Sequence, residues 1–175
     1  MSHLINKCDS VLVIPVIIEK DKVYFVTVHD KKHQEWTFIS GTVEKNETCN
    51  DAVIRELYEE TRGCLSIERL NGMRYRNFQS KYKIKNKEIN YKVYVIDINN
   101  VKPMNKKKVL VLHEHTTLLK CFKDSTFLEK QYNENDDMAV ETLNDFMVKH
   151  KWKFMDKILR NQRFKDIIRD FTKSS

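Results

Sequence analysis

Glycine is scarce in this chain: Gly41, Gly63 and Gly72 are all there are in 175 residues. Loops that wrap phosphates in backbone amides need several glycines close together, so P-loop ATPases and dinucleotide-binding Rossmann proteins are excluded. The cysteines Cys8, Cys49, Cys64 and Cys121 contain no CxxC pair. That spacing offers neither a zinc ribbon nor a disulfide framework, and reduced thiols in the core are expected. Long apolar runs are absent too. The longest, Val11 to Ile18, is interrupted by Pro15 and lacks a basic flank or a small-residue cleavage site. It falls well short of the ~20 residues that a membrane helix requires. An intracellular, cytoplasmic protein with no membrane partner is expected.

What remains is ample for a folded domain. Hydrophobic residues at 41% and aromatics at 10% can fill one core at this length. Charged residues at 33% and a mean hydropathy of −0.61 supply a polar surface. Lys and Arg, 32 together, exceed Asp and Glu, 25 together, giving a net charge of +7. A basic balance favours polyanionic partners, phosphates first among them.

Ser10 to Glu19 and Val23 to His29 are β-branched runs joined by a short polar turn, the pattern of a hairpin. Trp36 to Ile39 reads as a third strand ending at Ser40-Gly41. A helix is expected from Asn50 to Arg62: Val53, Ile54, Leu57 and Thr61 recur at helical spacing, Thr48 or Asn50 can cap its start, and Gly63 can stop it. Further strands are expected over Met73 to Phe78, Lys81 to Lys85 and Ile89 to Ile98, with a turn at Asn86-Lys87, and a last one over Val109 to Leu112. Asp136 to Val148 reads as a helix with Met138, Leu143 and Phe146 inward, capped by Asn135 or Asp136. The whole chain, 1–175, is expected to be one domain. Residues 149–175 form its basic C-terminal extension, in which two apolar stripes broken near Asn161-Gln162 predict two short helices.

At 100° per residue, Glu56, Glu59 and Glu60 share one helix face. Like charges so close repel, and a hard divalent cation such as Mg²⁺ or Mn²⁺ would relieve them through oxygen ligation. Arg55 lies four residues before Glu59 and can hold it in one rotamer. The plainer interpretation of the same residues is a solvated acidic face.

The wider spacing adds to this. Gly41, then Glu47, then Arg55-Glu56-Leu57-Tyr58-Glu59-Glu60 resembles the loop-helix signature of the Nudix hydrolases, and Trp36-Thr37-Phe38 before the glycine is similar as well. Two positions depart from the pattern: Arg62 pushes the glycine after the Glu-Glu pair one place on, to Gly63, and Ser40 stands where many members have glycine. The resemblance implies an α/β/α sandwich with a mixed β-sheet and flanking helices. It implies that Glu56, Glu59 and Glu60 bind the catalytic ions or position the attacking water, Glu47 and Gly41 supporting them and Arg55 orienting a carboxylate. A further catalytic glutamate is expected in a late loop, where Glu134 is the choice, although the acids there also suit a helix cap.

The implied reaction is Mg²⁺- or Mn²⁺-dependent hydrolysis of a nucleoside diphosphate linked to another group. The lysine face Lys81, Lys83, Lys85 and the basic tail favour a long polyanion, so the expected substrate is the capped or phosphorylated 5′ end of an RNA. Alternatives are ADP-ribose, dinucleoside polyphosphates, nucleoside triphosphates or diphosphoinositol phosphates. From another class comes a non-catalytic module that binds RNA or nucleotide.

Overall fold

In a computed structural model of the chain, residues 7–99, 115–125 and 129–173 are described. The expected strand at Val109 to Leu112 lies outside them. Strand β1 (Ser10–Glu19) is the hub of a mixed sheet. Its second half pairs antiparallel with β2 (Lys22–Asp30), its first half antiparallel with β4 (Ile39–Thr42), and its other edge parallel with β6 (Lys87–Asp97). Strand β5 (Tyr75–Ile84) completes one side, and β3 (Glu35–Thr37) pairs antiparallel with the end of β2, on the same edge that β1 uses.

Because β1 is buried on both faces, its side chains are apolar from Val11 to Ile18. Val11, Val13 and Ile17 enter one core cluster, and Leu12, Ile14, Val16 and Ile18 the other. The first cluster packs beneath helix α1 (Cys49–Glu60) and helix α2 (His115–Asp124). The second holds Phe146 of α3 (Leu143–Met147), Phe154 and Ile158 of α4 (Lys153–Arg160), and Phe164 and Phe171 of α5 (Gln162–Lys173). Helices thus cover both faces of one sheet, the α/β/α arrangement expected. The two tail helices break at Asn161, as the stripes predict.

Several elements differ from expectation. The third strand divides at Phe38, so that β3 pairs with β2 and β4 crosses to β1. The strands expected over Met73 to Phe78 and Lys81 to Lys85 are one continuous strand, Tyr75–Ile84, and the turn falls at Lys85-Asn86. Both have positive φ (50° and 66°), as a two-residue hairpin demands. Residues Asp136 to Val148 are not one helix. Asn135–Glu141 is strand β7, antiparallel to β2, and only Leu143–Met147 is helical. Met138 and Leu143 match a helical period by coincidence, and pairing with the β2 edge prevails over it. Neither Asn135 nor Asp136 caps a helix, since Thr142 accepts from the Asp145 N–H at 3.3 Å.

The cysteines are not free thiols. Cys8 is joined to Cys49 and Cys64 to Cys121, with Cα atoms 6.4 and 6.1 Å apart. The separations of 41 and 57 residues explain why no short spacing reveals these pairs. Among the described residues no helix is long and apolar enough to cross a membrane.

Candidate active site

Thr48 closes a capping box at the start of α1: its hydroxyl accepts from the Asp51 N–H at 3.0 Å, and the Asp51 carboxylate accepts from the Thr48 N–H at 3.3 Å. This fixes the helix phase, and with it the direction of every acid on the helix. Asn50, the other capping candidate, instead accepts from the Tyr94 hydroxyl at 2.7 Å. At the far end α1 stops at Glu60 rather than continuing through Arg62. Arg62 and Gly63 both turn left-handed (φ 53° and 75°), and the Gly63 N–H donates to the Tyr58 carbonyl at 2.7 Å.

Arg55 sits at the centre of the acidic network. Its guanidinium donates to Glu47 from Nε (2.7 Å) and Nη2 (3.0 Å), and to Glu56 (2.7 Å) and Glu59 (3.2 Å) from Nη1. A further bond, at 2.9 Å, reaches the Thr42 carbonyl and ties the helix to β4. The hydrogen bond from Arg55 holds the Glu47 carboxyl below its ordinary range. Burial has the opposite effect on the helix acids. It pushes Glu56 up to about 7 against the pull of Arg55, raises Glu59, and raises Glu60 well above the usual carboxylate range.

Glu56 lies so close to β4 that a Cβ at Gly41 would fall on its carboxylate. This is the physical reason for glycine at that position. Gly41 and Ser40 line a cavity of about 550 Å³ with Arg55, Glu56, Glu59 and Glu134. A second cavity, of about 450 Å³, is lined by Glu60, Glu134, Ser40, Lys83, Tyr82 and Trp152, among others. Ser40 and Glu134 belong to both. Glu134 stands close to the Glu60 side chain and contributes to the raised Glu60 value.

The structure therefore gathers Glu56, Glu59, Glu60 and Glu134 with Gly41, Glu47 and Arg55. The lysines are dispersed by comparison. Lys83 lines the second cavity, Lys81 lies 3.6 Å from Glu88, and Lys85 is in the hairpin turn. Two residues that sequence reasoning did not select complete the site. Asn135, 4% exposed, donates to the Glu60 carboxylate and, at 3.2 Å, to the Glu60 main-chain carbonyl. Arg62 donates to the carbonyls of Asn135 (2.8 Å) and Phe122 (3.2 Å), its guanidinium 4.1 Å from the Phe122 ring centre. The displaced glycine at the helix end was the one available signal for Arg62.

The donor set is all carboxylate oxygen and suits a hard divalent ion. Among the described residues, no three metal-binding side chains converge closely enough to hold one as they stand. Arg55 occupies oxygens of Glu56 and Glu59. A magnesium-type ion fits this arrangement when one or two carboxylates and a substrate phosphate share it, the remainder of its shell being water.

The NUDIX domain family matches residues 7–161, and the chain belongs to that family. As a member it is a hydrolase acting on phosphoanhydride bonds, and Nudix hydrolases generally use divalent metal ions. No curated protein matches it significantly in sequence. Among solved structures, a Caenorhabditis elegans Ap4A hydrolase is 16% identical over 87% of this chain and 93% of its own, with a TM-score of 0.54. A binary complex of a C. elegans Ap4A hydrolase gives 15% identity, 95% and 96% coverage and a TM-score of 0.52. A Listeria monocytogenes protein assigned as a NUDIX hydrolase gives 17%, 83% and 85%, with 0.51. At these identities the likeness shows the fold.

Proposed function

We propose that this chain hydrolyses a nucleoside diphosphate linked to another group, with Mg²⁺ or Mn²⁺, and that its substrate is the capped or phosphorylated 5′ end of an RNA. The observation that carries the hydrolytic reading is Glu134. It lies 74 residues beyond Glu60 in sequence, stands near enough to raise the Glu60 carboxyl and lines both cavities.

The roles divide by environment. Glu56 and Glu60, both buried, have little water to stabilise their charge and are the ligands most in need of a cation. Arg55 holds Glu47, Glu56 and Glu59 in fixed rotamers, and Gly41 leaves room for the Glu56 carboxylate. A bound divalent ion supplies charge neutralisation on the phosphate oxygens and lowers the pKa of a coordinated water. Glu134 is exposed and can take a proton from the attacking water.

The RNA reading is supported by how the basic segments meet. Lys157 of α4 donates to the Lys81 carbonyl, which joins the tail to the lysine strand, and Lys83 of that strand lines the cavity shared by Glu60 and Glu134. Lys153, Arg160, Arg163 and Lys165 remain exposed on the same tail.

A turnover assay with Mg²⁺ over capped RNA and small nucleotides tests the reaction. Glu134→Gln should lower kcat at least tenfold with KM little changed, and a rate within threefold of wild type would remove Glu134 from the chemistry. Each single-strand phosphate neutralised adds about −0.7 to the slope of log affinity against log salt, so capped RNA should show about −2 to −4 and cap dinucleotide a much flatter line. Equal slopes, unaltered when Lys81, Lys83 and Lys85 are replaced by serine, would return the protein to small nucleotides.

A further inference from the structure

The cavity of about 450 Å³ has a lining that the hydrolytic reading leaves unused. Two of its walls are aromatic. Trp152 is held in place by its own backbone: its N–H donates to the Trp36 carbonyl at 3.1 Å, and the Trp36 N–H donates to the His150 carbonyl at 3.0 Å. Tyr82 is stacked on Phe154, centroids 4.9 Å apart at 26°. The Trp152 and Tyr82 rings meet edge to face at 5.5 Å and 86°. They form a rigid corner, and Trp152 keeps part of its surface exposed.

The same cavity is lined by Asp30 and Glu35, paired at the facing ends of β2 and β3. Asp30 is engaged by the Lys32 N–H at 3.1 Å and by His33 at 2.5 Å. Glu35 is half-buried, and its carboxylate has no hydrogen bond or ion pair among the described residues.

Lys83 and the site acids Glu60 and Glu134 also line this cavity and can meet the phosphates, so the part of a nucleotide left to suit Asp30, Glu35 and the aromatic corner is its base. A carboxylate offers acceptors only. Guanine presents two adjacent donors on its pairing edge, N1–H and the exocyclic amino group, and one carboxylate can accept both. Adenine offers one amino group beside an acceptor nitrogen, which a carboxylate repels.

Resting on the hydrolase reading above and adding a specificity to it, we propose that this cavity is the base subsite and that it selects guanine. Glu35 accepts from the pairing edge, Asp30 reinforces the negative field, and Trp152 supplies the stacking face. Methylation at N7 makes the ring cationic and strengthens both the stacking and the attraction to the carboxylates.

The test is calorimetric titration of the full chain in Mg²⁺ with the non-hydrolysable α,β-methylene analogues of GDP, ADP and N7-methyl-GDP. The GDP analogue should bind at least tenfold more tightly than the ADP analogue, and the N7-methylated one more tightly still. Glu35→Gln should bring the guanine and adenine analogues within threefold of each other by weakening only guanine. Trp152→Ala should weaken both at least fivefold, and Trp152→Phe should recover most of the loss. Equal affinities in the native protein, or a preference unchanged by Glu35→Gln, would overturn the assignment. Should Trp152→Ala fail to fold, the native guanine-to-adenine ratio still decides. Failure of the hydrolase reading is seen separately, as absence of Mg²⁺-dependent turnover on every phosphoanhydride in the panel.

Discussion

The side-chain amide of Asn135 is fastened to Glu60 at two points, the carboxylate and the main-chain carbonyl, so the first residue of β7 holds the last turn of α1. Glu134 is thereby set beside the helix acids by its own neighbour. Arg62 secures the same junction from behind through the Asn135 carbonyl. Asn135→Ala should reduce kcat by about 10–100-fold, the range seen when partners of metal-binding side chains are removed. Steady-state kinetics check this, and a kcat within twofold of wild type would show that Glu60 keeps its position unaided.

Glu60→Gln removes a buried charge while nearly preserving shape. Turnover should fall at least about a hundredfold, while thermal stability stays level or rises because the desolvation of that carboxylate is relieved. Full activity at limiting Mg²⁺ would exclude Glu60 from the ion site.

The raised Glu56 value has a consequence for stability. With a folded pKa of about 7 against an ordinary 4.5, the native state holds more protons than the unfolded state between those limits. Stability from this group is fully present below about pH 4.5 and is lost as pH rises through about 7, a change on the order of 1–3 kcal/mol. Chelated protein should therefore lose melting temperature between pH 5 and pH 8 by more than Glu56→Gln does. Parallel curves for the two proteins would contradict it.

Gly41→Ala places a methyl group where the Glu56 carboxylate lies, so that side chain must leave its place on Arg55 or the backbone must shift. A cost of about 1–3 kcal/mol is expected from overpacking, with a loss of turnover at least tenfold. Denaturant melts and kinetics measure the two effects, and an active, equally stable variant would mean that Glu56 does not need this approach.

The paired cysteines predict a redox-dependent stability. Loop-closure entropy for rings of 41 and 57 residues suggests up to about 4 kcal/mol from each bond. Dithiothreitol should lower the melting temperature, and native protein kept free of reductant should resist alkylation. Four modifiable thiols in that state would disprove the pairing.

The sheet centre and α1 were legible because local signals and tertiary demands coincide there. Val11 to Ile18 is apolar at every position as a strand buried on both faces must be, and Thr48, one of the two capping candidates, does mark the helix start. Gly41, Glu47, Arg55 and the three helix glutamates could be selected together because the loop and helix that carry them are contiguous. β7 was misread because its strand nature is imposed by β2, more than a hundred residues earlier, while Met138, Leu143 and Phe146 mimic a helical stripe. The same distance hid Asn135 and the cysteine pairs, whose partners are set by topology rather than by spacing.

The parallel pairing of β1 with β6 places Ser10 beside Tyr91, about 80 residues along the chain, so the central sheet forms only after a long loop closes. A growing chain that has released β1 and β2 carries an apolar hairpin with an open edge until residue 97 is made. Folding should accordingly be slow on the scale of small domains. Fragments ending before β6 should aggregate unless that edge is shielded.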